Sequence, residues 1–201
     1  MDNALRGGVL ILPGGKPQSA VASRPWQLAN ARMALIARSL RRRLGDGVAV
    51  RLVQYRLRGW NGGRFDALRD AELALGDMRE EFDSTKIVVV GHSMGGRVAA
   101  HLSASGDVGA VVALAPWWPR NDADLVPASC RLLVLHGTAD LRTDPGSSRV
   151  QTLRARKRGV NAQWVAMEGA GHSMIRDWRR WHRLTAEFAA AQLAETLPEQ
   201  R

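Results

Sequence analysis

Six short apolar runs, separated by longer amphipathic stretches, limit this chain to few architectures. Ile87, Val88, Val89 and Val90 form the clearest run, continuous and β-branched. The other strand candidates are residues 9–12, 48–55 (which includes Arg51 and Gln54), 108–114, 132–135 and 163–167. Runs of this length read as strands, and a strand that is apolar on both faces has to be covered on both. A parallel sheet between helical layers meets that demand, because each crossover lays a helix on one face.

The intervening stretches have the helical period. The first expected helix follows Ser23, carries Pro25 in its opening turn and stops at Gly45. Its apolar stripe is Ala29, Met33, Ile36, Leu40 and Leu44. A second, over about residues 65–82, aligns Phe65, Leu68, Leu75, Met78 and Phe82. A third follows Ser93, and a fourth opens at Asp144-Pro145, a cap followed by a first-turn proline. The last starts near Asp177 and carries Trp181, Leu184 and Phe188. The series is βαβ throughout, so the expected class is α/β with a mostly parallel six-stranded sheet and right-handed crossovers. No linker or repeat divides the chain, and residues 1–201 are expected to form one domain.

The formal net charge of +10 raises the question of a nucleic-acid partner. The cations, nearly all arginine beside only three lysines, are spread along the whole chain. The dense runs, residues 41–43 and 154–158, fall at expected helix C-termini, where cations complement the dipole. No nucleic-acid partner is therefore expected. A single cysteine, Cys130, allows no intramolecular disulfide and fits a reducing compartment. Residues 1–15 lack the apolar core of a secretory leader, and no run reaches the roughly 20 apolar residues of a membrane span. The expected location is the cytoplasm, away from membranes.

Chemistry concentrates in Gly91-His92-Ser93-Met94-Gly95-Gly96, directly after the run at 87–90 and before a helix. A serine flanked at two residues' distance by glycines, on a strand-to-helix turn, is the pattern of a nucleophile elbow. The tight turn lifts the hydroxyl above the sheet, and the helix N-terminus favours developing negative charge. A serine hydroxyl needs a base. The run at 132–135 leads into His136-Gly137-Thr138-Ala139-Asp140, and the run at 163–167 into Glu168-Gly169-Ala170-Gly171-His172. An acid and a histidine on loops after late strands lie over the sheet edge to which the elbow points. Asp144 competes with Asp140 but is better explained as a helix cap. Gly-His-Ser-Met recurs at 171–174, where Ile175 stands in place of the second glycine. His92 reads as a packing residue and His136 as a structural histidine at a strand end. His101 and His182 fall inside helices. No histidine pair has metal-ligand spacing with a carboxylate, so neither metal nor cofactor is expected.

G-H-S-M-G-G at 91–96, H-G-T-A-D at 136–140 and G-A-G-H at 169–172 together resemble the α/β-hydrolase superfamily, over essentially the whole chain. The resemblance implies a three-layer α/β-hydrolase fold, with Ser93 as nucleophile, Asp140 as orienting acid and His172 as base. It also implies an oxyanion hole of two backbone amides. These are that of Met94 and one from Pro13-Gly14-Gly15, with Gly15 preferred and Gly14 next. Proline stands where the family often has histidine in that loop. Between residues 114 and 132 no helical cap fits, so an open site is expected. Trp60, Trp117 and Trp118 either wall it or plug the surface. The expected reaction is hydrolysis of small or short-chain carboxylic esters through an acyl-enzyme. Thioesterase or acyltransferase activity on carrier- or CoA-bound acyl groups, or binding without catalysis, are the alternatives.

Overall fold

The computed structural model describes residues 5–195, with the side chain of Glu195 excluded. Residues 1–4 and 196–201 of the expected 1–201 domain lie outside these. Six strands form one sheet: β1 (Gly7–Leu12), β2 (Val48–Leu52), β3 (Ile87–His92), β4 (Ala110–Leu114), β5 (Arg131–Gly137) and β6 (Ala162–Met167). Their order is β2-β1-β3-β4-β5-β6, and every pairing is parallel. All six expected runs are strands, although β2 ends at Leu52 rather than reaching Tyr55.

Five helices cover the sheet: α1 (Leu28–Leu44), α2 (Asp66–Arg79), α3 (Met94–Ser103), α4 (Pro145–Lys157) and α5 (Trp178–Glu195). Side chains alternate along each strand and so build two cores. Val9, Ile11, Val88 and Val90 pack with Met33, Ile36 and Leu40 of α1 and Trp181 and Phe188 of α5. Leu10, Leu12 and Val89 pack on the other face with Leu75 and Met78 of α2 and Val98 of α3. The result is three layers. Helix α1 starts later than its apparent N-terminal signal. Its N-cap is Gln27, and Ser23 instead accepts hydrogen bonds at 3.0 Å from the side chains of Asn30 and Gln54. A serine two residues before a proline is as good a turn signal as a helix start. None of the described helices is long and apolar enough to cross a membrane.

Because the strands are parallel, all their C-terminal ends lie at one edge. The chain leaves β1 toward β2 on one side and β3 on the other, which opens a crevice beyond the ends of β1 and β3. Residues 13–15 and Ser93 stand at the two sides of that crevice. Between β4 and β5 the only regular element is a short 3-10 turn, Asp122–Leu125, so no cap covers the edge among the described residues.

Candidate active site

Ser93 has φ 55° and ψ −115°, in the left-handed half of backbone space that L side chains rarely occupy. The strain is enforced from all sides. The Ser93 amide donates to Leu114 O at 3.0 Å, and Ser93 O accepts from the Trp117 amide at 2.9 Å and the Gly96 amide at 3.0 Å. A Cβ at Gly91 would run into the Gly95 carbonyl, and one at Gly95 into the Leu12 carbonyl. Strand and helix therefore cross at a distance only glycine allows, and the residue between them takes the strained conformation. Ser93 is buried, and its hydroxyl makes no hydrogen bond to another described residue.

Asp140 and His172 meet beside it. His172 Nδ1 is 2.8 Å from Asp140 Oδ2, whose side chain is fully buried. The same oxygen accepts from Thr143 Oγ1 at 2.7 Å and His136 Nε2 at 3.2 Å, and Oδ1 accepts from the amides of Arg142 at 2.8 Å and Thr143 at 3.1 Å. Burial opposes ionisation of Asp140. The hydrogen bonds from His136, His172, the Arg142 amide and Thr143 outweigh it and hold the carboxyl well below the usual carboxylate range. Asp144 takes no part: its side chain accepts from the Ser147 amide at 3.1 Å and caps α4.

Two histidines that read as structural in the sequence position this pair. His136 holds Asp140 with Nε2 while Nδ1 contacts Ser148 Oγ at 2.8 Å. His92 donates from Nε2 to the His172 carbonyl at 2.9 Å, with the two rings 4.8 Å apart. Burial, together with His172 and Arg32, pushes His92 down to about 3, so it stays neutral and fixes the loop carrying His172. The sequence signal for these roles was their place in the two motifs, His92 directly before Ser93 and His136 at the start of the segment that ends in Asp140.

A cleft of about 440 Å³ is lined by Ser93, His172, Gly14 and Gly15. Met94 is the first residue of α3, where a helix leaves its amides without intrahelical partners. The three tryptophans do not line this cleft. Trp60 is 3% exposed and packs edge-on against Phe65 and beside His101, with the Arg97 guanidinium 4.3 Å from its ring centre. Trp118 is 5% exposed, and its indole N–H donates to Gly96 O at 3.1 Å. The Arg97 guanidinium also lies over the Trp117 ring, 4.9 Å from its centre. With Trp118, Trp117 borders a separate hollow of about 260 Å³ near Thr143 and Asp144. These rings tie loops to α3 and carry Arg97, which is paired with Asp122 at 2.7 Å. The expectation that they wall the Ser93 cleft is corrected for all three. The rings nearest that cleft are Trp26 and the imidazoles of His92 and His172.

The comparisons with known proteins agree with this fold. An alpha/beta hydrolase enzyme from a Medee basin deep-sea metagenome library superposes with a TM-score of 0.75 at 21% identity, covering 96% of this chain and 87% of that one. A thermophilic esterase from Thermogutta terrifontis, with butyrate bound, gives 0.68 at 21% identity over 95% and 85% of the two chains. Est1E from Butyrivibrio proteoclasticus, with ferulic acid bound, gives 0.70 at 16% identity over 96% and 92%. No curated protein matches. The profile of the prolyl oligopeptidase family matches residues 110–196, the half that carries Asp140 and His172. The profile of the alpha/beta hydrolase family matches residues 9–129, from β1 through the elbow, and the chain belongs to that family.

Proposed function

We propose that this chain, as one domain, is a serine hydrolase that cleaves carboxylic esters of small or short-chain acyl groups through an acyl-enzyme. The observation that carries the reading is a serine in a strained elbow sharing a cleft with a histidine whose far nitrogen is 2.8 Å from a buried carboxylate. The esterases among its structural neighbours support the same class. In this mechanism His172 takes the proton of Ser93 Oγ as the oxygen attacks the carbonyl carbon. Asp140 keeps the proton on Nδ1 and so presents Nε2 as the base. The amides of Met94 and Gly15 hold the oxyanion. Collapse releases the alcohol, which takes the proton from His172, and water then frees the acid by the same steps. A thioester carbonyl is attacked in the same way. The cations around the cleft favour an acyl group carried on an acidic molecule.

A fluorophosphonate probe tests the reading directly. It should label Ser93, and Ser93→Ala should abolish labelling and lower kcat by about 10⁴–10⁶ with the fold intact by circular dichroism. Ser173→Ala, in the second Gly-His-Ser-Met, should remain active. Labelling at Ser173, or full activity in Ser93→Ala, would overturn the assignment.

A further inference from the structure

The cleft over Ser93 is lined by Lys16, Arg32, Arg58 and Arg142 and by no carboxylate of a surface residue. Among the described residues, none of these four side chains makes an ion pair or a hydrogen bond. Other arginines next to acids do pair: Arg56 with Asp70, Arg97 with Asp122, and Arg154 and Arg158 with Asp124. Arg32 differs from a solvated surface arginine in being only partly exposed, and it lies close enough to Arg142 for the two cations to repel. Burial and Arg142 both lower its affinity for its proton.

Two guanidiniums converging without a counter-ion leave a place where an anion is favourable, and their planar forks match carboxylate and phosphate oxygens. The backbones that carry the cations are tied down. The Lys16 amide donates to Arg58 O at 2.8 Å, the Arg142 amide to Asp140 Oδ1 at 2.8 Å, and Asn30, one turn boundary from Arg32, anchors the start of α1 through Arg24 O at 2.7 Å. Arg142 therefore belongs to the very loop that presents the catalytic acid.

We propose that this cleft selects esters or thioesters bearing an anionic group, and that Arg32 and Arg142 bind that group. This rests on the serine-hydrolase reading and names its substrate class. Carboxylate and phosphate share the required chemistry, and paired substrates separate them.

The test compares p-nitrophenyl butyrate with the mono-p-nitrophenyl ester of succinate, which adds a carboxylate at similar acyl length, and with a butyryl thioester of a phosphorylated thiol. At low salt, kcat/KM for at least one anionic substrate should exceed that for the neutral ester by about tenfold. The excess should shrink at about 0.5 M NaCl. Arg32→Gln and Arg142→Gln should each raise KM for the anionic substrate by about tenfold more than for the neutral ester. Arg69→Gln, which removes one exposed charge from α2, should leave the ratio unchanged and so controls for net charge. Equal kinetics for charged and neutral substrates, or a ratio shifted as much by Arg69→Gln, would overturn the proposal. Failure of the serine-hydrolase reading would look different, with no ester cleaved and Ser93 unlabelled. Calorimetric binding of the succinate monoester to Ser93→Ala then decides. Binding lost in Ser93→Ala carrying Arg32→Gln supports the anion site, and no binding to Ser93→Ala refutes it.

Discussion

At the scale of single residues, the division of labour between Asp140 and Asp144 shows how hydrogen-bond partners assign roles. Both are aspartates just beyond β5. Asp140 has a fully buried side chain and receives five donors, the His172 imidazole among them, whereas Asp144 is exposed and holds one amide at a helix start. Asp140→Asn replaces the acceptor facing His172 Nδ1 with an amide, which favours the wrong tautomer. It should lower kcat on the order of 10⁴ in ester hydrolysis. Asp144→Asn keeps the cap, because asparagine caps helices as well as aspartate does, and should retain activity. The reverse ranking would move the acid to Asp144.

At the scale of elements, the short connection from β4 to β5 decides how open the site is. Its 3-10 turn is not free to grow into a cap. Asp124 is held by Arg154 and Arg158 of the α4 end, Arg158 also donates to Ala123 O at 3.1 Å, and Gln151 donates to Trp118 O at 3.1 Å. The arginine run at 154–158, read as a solvated helix end, thus clamps this loop. The cleft offers little apolar wall beyond Trp26 and Leu28 near its mouth. Each buried CH₂ is worth about 0.8 kcal/mol, so chain length is rewarded only where walls exist. For p-nitrophenyl esters, kcat/KM should peak at about two to six acyl carbons, with no rate jump at micelle formation. An apolar groove of about 580 Å³, with Leu28, Leu35, Ile175 and Trp178, adjoins the cleft at Leu28 and Arg32. A steady rise to about twelve carbons would assign that groove to the acyl chain and overturn the short-chain expectation.

At the scale of the whole molecule, buried titratable groups set an acid limit. His92 ordinarily titrates near 6.5 but is pushed down to about 3 in the fold, chiefly by burial, and His182 is also lowered by burial and by Arg43 and Arg42. Between those values the unfolded chain binds a proton that the folded His92 refuses, so stability is lost as pH falls below about 6.5. Asp122 and Asp140 are both held below their ordinary range. Their contribution is complete above about pH 4 and is lost as pH falls further. Each group contributes a slope of about 1 kcal/mol per pH unit inside its window. With a net charge of +10, neutralising carboxylates adds self-repulsion of the same sign. Urea unfolding should therefore show constant stability from about pH 7 to 8, a decline beginning near pH 6.5 and a steeper one below about pH 4. His92→Gln should flatten the upper part of that decline. A profile with no loss above pH 4 would contradict the buried neutral state of His92.

Local physics made much of this protein legible in its sequence. Continuous apolar runs and the 3.6-residue period specify six strands and five helices in order, and Gly91, Ser93 and Gly95 specify the elbow, because a crossing that tolerates only glycine leaves its mark in the residues at the crossing. The order of Asp140 and His172 after late strands was likewise readable, since parallel strands end at one edge. What remained was non-local. Strand order alone puts residues 13–15 across from Ser93. For Trp60, Trp117 and Trp118 the sequence left pocket wall and surface plug both open, because the exposure of an indole cannot be inferred without knowing that Arg97 packs on two of them and the Gly96 carbonyl accepts from the third. Lys16, Arg32, Arg58 and Arg142 look like scattered charge in one dimension. Only folding gathers them from four segments around one cleft, because side-chain convergence depends on which faces of distant elements pack together and not on spacing along the chain.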